Sequence, residues 1–170
     1  MSGQRQDYIL RQIDLLRQFV KRVVGKRPDP ELDEALLLAM HLQEKLFPIP
    51  PAEFLRLDLA AQIARLRGNE SRTDGNARCT AYASLLAETA RLYEHKGEPD
   101  LAAGARQMGL YAAVSVVLDD RTEAEANLLA RELLLHLDAR TLYPPIVALL
   151  VRLDEAENPA VNTPPDQSPA

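Results

Sequence analysis

The run MGLYAAVSVVL, Met108–Leu118, is apolar almost without a break and constrains the fold more than any other stretch. A helix that is apolar on every side must be buried on every side. At eleven residues the run is shorter than the roughly 20 needed to span a bilayer. A buried strand is the rival reading of a short apolar run. However, Gly109, Ala112 and Ala113 are poor strand residues, and no second segment offers itself as a strand partner. The pattern extends backwards as a helix. Pro99 suits a first helical turn, and LAAGARQ follows without a breaker. Ala102, Ala105, Gly109, Ala112 and Val116 recur at three- and four-residue steps, which gives one side of this central helix room for a close neighbour.

Just before it, Tyr82, Leu85, Leu86, Thr89, Ala90 and Tyr93 form the stripe of an amphipathic helix. His95 and Lys96 complement its C-terminal dipole, and Gly97 is placed as the residue that ends it. Residues 78–118 therefore read as a helical hairpin turning at Gly97-Glu98-Pro99. The rest of the chain reads as helix too. The pattern predicts helices over 4–25, over 30–46 after the start signal Asp29-Pro30-Glu31, and over 52–67 after the breaker PIPP. A sixth helix opens at the capping-box pattern Thr122–Glu125 and reaches about Leu137, and a seventh covers about Tyr143 to Glu155. The segment NESRTDGN, 69–76, is polar and turn-rich and reads as a mobile loop. The expectation is an all-α protein of about seven helices, with antiparallel hairpins around a buried central helix. Residues 1–157 form one domain, and 158–170, with four prolines, read as a disordered tail.

Composition narrows the core and the compartment. Hydrophobic residues make up 46% of the chain, but aromatics only 5%, and tryptophan is absent, so Leu, Ala and Val must build the core. The single cysteine, Cys79, excludes an internal disulfide and any multi-cysteine metal site, and fits a reducing cytoplasm. The apolar residues near the N-terminus are interrupted by Arg11, Asp14 and Arg17, which is unlike a signal peptide. A net charge of −5 argues against a general nucleic-acid binder. Residues 1–27 run against that balance, with seven Lys/Arg and two acidic residues.

The chemistry-bearing residues form no recognisable catalytic set. His41 and Glu44, and Glu132 and His136, each share a helical face, but neither pair has the Glu-x-x-His spacing of a di-iron bundle, and HExxH is absent. No GxSxG, GxGxxG or GxxxxGK occurs. Ser84 and Ser115 sit in apolar helical context, where a hydroxyl usually bonds back to a carbonyl. Gly75-Asn76-Ala77-Arg78 reads as a helix start with room for one anion, or as an ordinary turn and cap. No catalytic, metal or cofactor site is expected.

The hairpin resembles a half-matched tetratricopeptide (TPR) repeat, a helix–turn–helix unit of about 34 residues, with Tyr93, Gly97 and Ala102 at the spacing of that motif's Tyr, Gly and first Ala. It departs from the motif at Leu86, where Trp is usual, and at Arg106, where an aromatic is usual. Over about residues 7–155 the chain also resembles a family of uncharacterised bacterial proteins that open with a Tyr-Ile-x-Arg-x-Ile helix, here Tyr8, Ile9, Arg11 and Ile13, and continue as a TPR-like helical body. That resemblance implies a fold and brings no activity, cofactor or site residues.

Two functions are expected from these readings. The first is a non-catalytic protein–protein interaction or scaffold protein, TPR-like and self-associating as a homodimer. The apolar arc of its first helix covers about half the wheel, so Tyr8, Ile9, Ile13, Leu16 and Val20 are the candidate seam. The alternative use of that arc is the chain's own core, with the basic residues as its wet face. A membrane-surface role is not expected, because Asp7 and Asp14 dilute the positive face. The second function is a small-ligand-binding protein or enzyme with a pocket beside the central helix, formed by Tyr82, Tyr93, His95 and Tyr111. A pocket with convergent polar side chains favours the second reading, and a long open groove or two-fold interface the first.

Overall fold

The computed structural model describes residues 2–23 and 30–159. Among them are eight α-helices and no strand: α1 (Ser2–Val23), α2 (Pro30–Leu46), α3 (Pro51–Phe54), α4 (Leu59–Arg67), α5 (Arg72–Lys96), α6 (Pro99–Asp119), α7 (Ala124–Leu135) and α8 (Pro144–Glu157). A 3-10 turn, Ala139–Thr141, joins α7 to α8. The signals expected at Gly25, Pro28 and Asp29, and the Pro-rich tail beyond Pro159, lie outside the described residues.

The antiparallel pair α5–α6 is the centre. Gly97 turns it in the left-handed conformation, φ +83°, and the Glu98 N–H reaches back to the Tyr93 carbonyl at 2.9 Å. Gly109 lets the two backbones close. A Cβ there would lie 3.4 Å from the Ala83 carbonyl oxygen, 3.3 Å from Leu86 Cβ and 3.2 Å from Leu133. The small-residue side of the central helix is thus in use, with Ala102, Ala105, Ala112 and Val116 all buried. α6 passes the length and apolarity test for a membrane-crossing helix, the one described helix that does, and 67% of its most apolar window is buried inside the chain.

α5 departs from the amphipathic reading. Every residue from Cys79 to Ala90 is buried, including the polar side Ser84, Glu88 and Thr89. α1 and α2 pack on it from one direction and α4 from another, while α7 lies across both α5 and α6. The covering helices bring partners for what they cover. Arg17 of α1 donates to Ser84 Oγ at 2.9 Å and sits 3.7 Å from Glu88. Arg91, 3.5 Å from the same carboxylate, also pairs with Glu132 of α7. Gln43 of α2 donates to Thr89 at 2.9 Å. Burial still dominates for Glu88: the loss of water raises its pKa despite Arg91 and Arg17.

Other boundaries differ from the sequence expectation for local reasons. The third predicted helix breaks in two, because Asp58 caps a new start by accepting from the Ala61 N–H at 2.8 Å. The expected mobile loop at 69–76 is half helix. Ser71 is the N-cap of α5, accepting from the Asp74 N–H at 3.1 Å, and Gly75 is buried against α4. The capping box at Thr122 does not form. Thr122 instead donates to Asp120 at 2.7 Å, and α7 begins after Glu123, which makes no side-chain cap. The aromatic residues gather where the α2–α3 connection folds over α5: Phe47 and Phe54 stack at 4.0 Å, and Tyr82 meets both edge-on.

The first helix is used by the chain itself. Ile9, Ile13, Leu16 and Val20 are buried against α2 and α5, so of the five candidate seam residues only Tyr8, 51% exposed, faces outward. The apolar arc is wide because two helices of the same chain share it.

Two measurements test this packing. Ala112 has no exposed surface, so Ala112→Leu should overpack the centre and cost about 1–3 kcal/mol; an unchanged melting midpoint would place the side chain at the surface. Between the ordinary glutamate pKa and the raised value of Glu88, the folded state holds a proton that the unfolded chain has released. Wild-type stability should therefore fall as pH rises through that window. Glu88→Gln cannot titrate there, so its urea midpoint should gain on wild type from acid to neutral pH. Parallel pH profiles would show that Glu88 titrates normally.

Candidate functional site

One open cleft of about 280 Å³ lies between α4, α6 and α8, beside the central helix. Its floor is the polar edge of α6, where Tyr111, Ser115 and Asp119 recur every four residues and share a face. Leu118 completes that side. Helix α4 contributes Ala60, Ile63, Ala64 and Arg67, one face again, and α8 contributes Leu149 and Arg152. The lining is therefore mostly aliphatic along α4, with one arginine from α4 and one from α8.

Arg67 is held by its surroundings. Its stem packs against Gly75, where an added Cβ would sit 3.3 Å from Arg67 Cα, Cβ and Cγ. Its Nη2 donates to the Ser115 carbonyl at 2.8 Å, and its buried Nε has no hydrogen-bond partner among the described residues. Beneath it lies Cys79, whose thiol burial pushes up to about 11 even though Arg67 and Arg78 pull it down. Neither Arg67 nor Arg152 makes an ion pair among the described residues. The carboxylates nearby are already engaged. Asp119 accepts from Asn76 at 2.8 Å and pairs with Arg72 at 3.1 Å, and Asp58 caps α4. Ser115 spends its proton on the Tyr111 carbonyl at 2.7 Å, as expected for a serine in such a helix. The Tyr111 phenol has its pKa raised, first by burial and then by Asp58, with Arg152 and Arg67 opposing, so it remains a proton donor at neutral pH.

Of the four expected pocket residues, the cleft contains Tyr111 alone. Tyr82 is sealed in the aromatic cluster with its hydroxyl buried and unpartnered, and burial raises its pKa. Tyr93 and His95 lie in the last turns of α5, about 16 Å or more along the helix from Tyr82 at 1.5 Å per residue. Neither Arg67 nor Arg152 stands out in the sequence; the Tyr111-Ser115-Asp119 stripe is the local signal that leads to them. Neither reading of Gly75–Arg78, an anion-holding helix start or an ordinary turn and cap, is what the structure has there. Those residues lie inside α5, Asn76 donates to Asp119, and Arg78 donates to the Leu66 carbonyl at 3.0 Å and pairs with Glu70 at 2.6 Å.

No group of three metal-ligating side chains is found among the described residues. The Glu132–His136 face is not a ligand pair. His136 Nδ1 lies 2.9 Å from the Glu132 backbone carbonyl, while the Glu132 carboxylate pairs with Arg91. Cys79 is equally enclosed. It should resist a disulfide reagent in the native protein at mildly alkaline pH and titrate as one thiol per chain in denaturant. Fast native labelling would mean that the α4–α5 contact opens readily.

Comparison with protein families, curated proteins and solved structures finds no match to this chain.

Proposed function

We propose that this protein is a non-catalytic binding protein whose ligand site is the cleft between α4, α6 and α8. The observation that carries this reading is convergence. Two arginines without carboxylate partners among the described residues and one tyrosine line the same cleft as a row of aliphatic side chains, beside the central helix. Concave sites with an apolar lining and a few placed polar groups are the usual form of small-molecule sites. The volume, about 280 Å³, lies just below the roughly 300–1,000 Å³ such pockets occupy, which suits a small ligand. No nucleophile is paired with a base in the cleft: Ser115 is bonded back to its own helix and Cys79 is buried.

Interaction with a protein partner is the second reading, and one observation favours it. On α7, Leu128 and Leu135 stand 67% and 84% exposed on the same outward side of the helix. That surface, rather than the first helix, is the place to seek a TPR-like contact or a homodimer.

A fragment library screened by protein NMR tests the first reading. Hits should move the backbone amides of Ile63, Arg67, Ser115 and Arg152 together. They should be lost in Ala64→Trp, which fills the cleft from an exposed lining position and leaves every charge in place. Hits confined to other surfaces, or hits that survive Ala64→Trp, would overturn it.

A further inference from the structure

Granted the binding function proposed for the cleft, on which this assignment rests, its charges narrow the ligand. The whole chain is acidic, with a net charge of −5, so an unneutralised positive site runs against the field of the rest of the molecule. Within the cleft, the Asp119 carboxylate is occupied by the Asn76 amide and by Arg72, which it shares with Asp120, and Asp58 is turned to the start of α4. Among the described residues, Arg67 and Arg152 are left with guanidinium charge and no carboxylate to meet it. A partly desolvated guanidinium favours an anionic acceptor, and planar oxyanions match its fork of donors.

We propose that the cleft binds a small carboxylic acid as its anion. Arg67 and Arg152 hold the carboxylate from two sides, Tyr111 donates to it, and the apolar body lies on Ile63 and Leu149. A carboxylate fits better than a phosphate on two grounds. The site offers two positive charges, one of them on a fixed stem, and the Ala61 N–H in the first turn of α4 is already taken by the Asp58 side chain. The aliphatic wall also calls for an apolar body attached to the head, which inorganic anions lack. The volume limits that body to about one ring or a short alkyl chain.

The probes are benzoate, its neutral counterpart benzamide, and inorganic phosphate, titrated by NMR against the full chain at constant ionic strength. Benzoate should shift the cleft amides and the Arg67 Nε–H signal, with benzamide and phosphate at least about tenfold weaker, the scale of one charge-assisted hydrogen bond. Arg152→Gln, an exposed position whose loss leaves the core untouched, should weaken benzoate about tenfold and leave benzamide unchanged. Arg67→Lys should also weaken benzoate, with its thermal midpoint measured alongside to separate misfolding from lost recognition. Benzamide binding in the cleft as tightly as benzoate would overturn the carboxylate assignment and leave the binding cleft standing. Phosphate matching benzoate would reassign the site to oxyanions in general and sink the role of the apolar wall. If none of the three binds while the fragment screen does find cleft ligands, the anion assignment alone fails; if the screen is also silent, both readings fail together.

Discussion

The close approach of α5 to α6 is the contact on which the other helices depend. It exists because Gly109 presents no side chain to the Ala83 carbonyl and because alanines continue the same side of α6. Two helices at that separation form a slab, and the covering helices pack on its faces. The arrangement has a cost. A helix in the middle of a slab has no wet side, so α5 carries its polar residues into the interior. A buried polar group without a partner costs on the order of 1–3 kcal/mol. The covering helices are accordingly chosen for what they bring: Arg17 to Ser84 and Glu88, Gln43 to Thr89. Within the slab itself, Asp119 of α6 meets Asn76 of α5. The matching is incomplete: the hydroxyls of Tyr82 and Thr80, Asn76 Oδ1 and the second oxygen of Glu88 are enclosed with no partner among the described residues. α6 uses the same logic once more, where Gln107 accepts from the Tyr143 N–H at 2.6 Å and donates to the Thr141 carbonyl at 3.1 Å, pinning the approach to α8.

The slab explains which parts of the fold are legible in the sequence. The run around Ala112 announces burial because nothing in it needs water. Gly97 announces the hairpin because only a residue without a Cβ adopts its backbone cheaply. Pro30, Pro99 and Pro144 mark starts because the first turn has no use for their missing N–H. The burial of α5 is not legible, since the stripe of Tyr82, Leu85 and Thr89 leaves Ser84, Glu88 and Arg91 on what periodicity reads as the solvent face. Their cover comes from Arg17, 67 positions away from Ser84, and no local pattern carries that information. The first helix leaves two readings open in the sequence, a core helix and a seam, and its buried face belongs to the core. Its apolar arc is too wide for one neighbour, as its wheel shows, and within the chain both α2 and α5 pack on it.

The cleft is half legible. Tyr111 is conspicuous as a polar group in an apolar helix, and the four-residue repeat to Ser115 and Asp119 marks a polar edge. The two cations come from helices that read as ordinary amphipathic elements. Each is one arginine at the end of a short apolar stripe, Ile63–Arg67 and Leu149–Arg152. An arginine in that position is usually a wet boundary residue, with its stem on the core and its charge in water. These two differ because their helices flank the same edge of α6, a tertiary fact.

Gly75 links the slab to the cleft. In the sequence it belongs to a segment that reads as a loop, and in the fold it is the point where α5 crosses α4. With φ in the ordinary helical range, its backbone does not require glycine; the space does, since any Cβ would press on the Arg67 stem at 3.3 Å. Arg67 is thus wedged by backbone on one side and tied to the Ser115 carbonyl on the other. A side chain fixed in that way has little rotamer entropy left to lose when a ligand arrives, a loss of up to about 2 kcal/mol for a free arginine. Arg152, by contrast, is exposed. A held cation on α4 and an exposed one on α8 are a direct consequence of where those two helices lie on the slab.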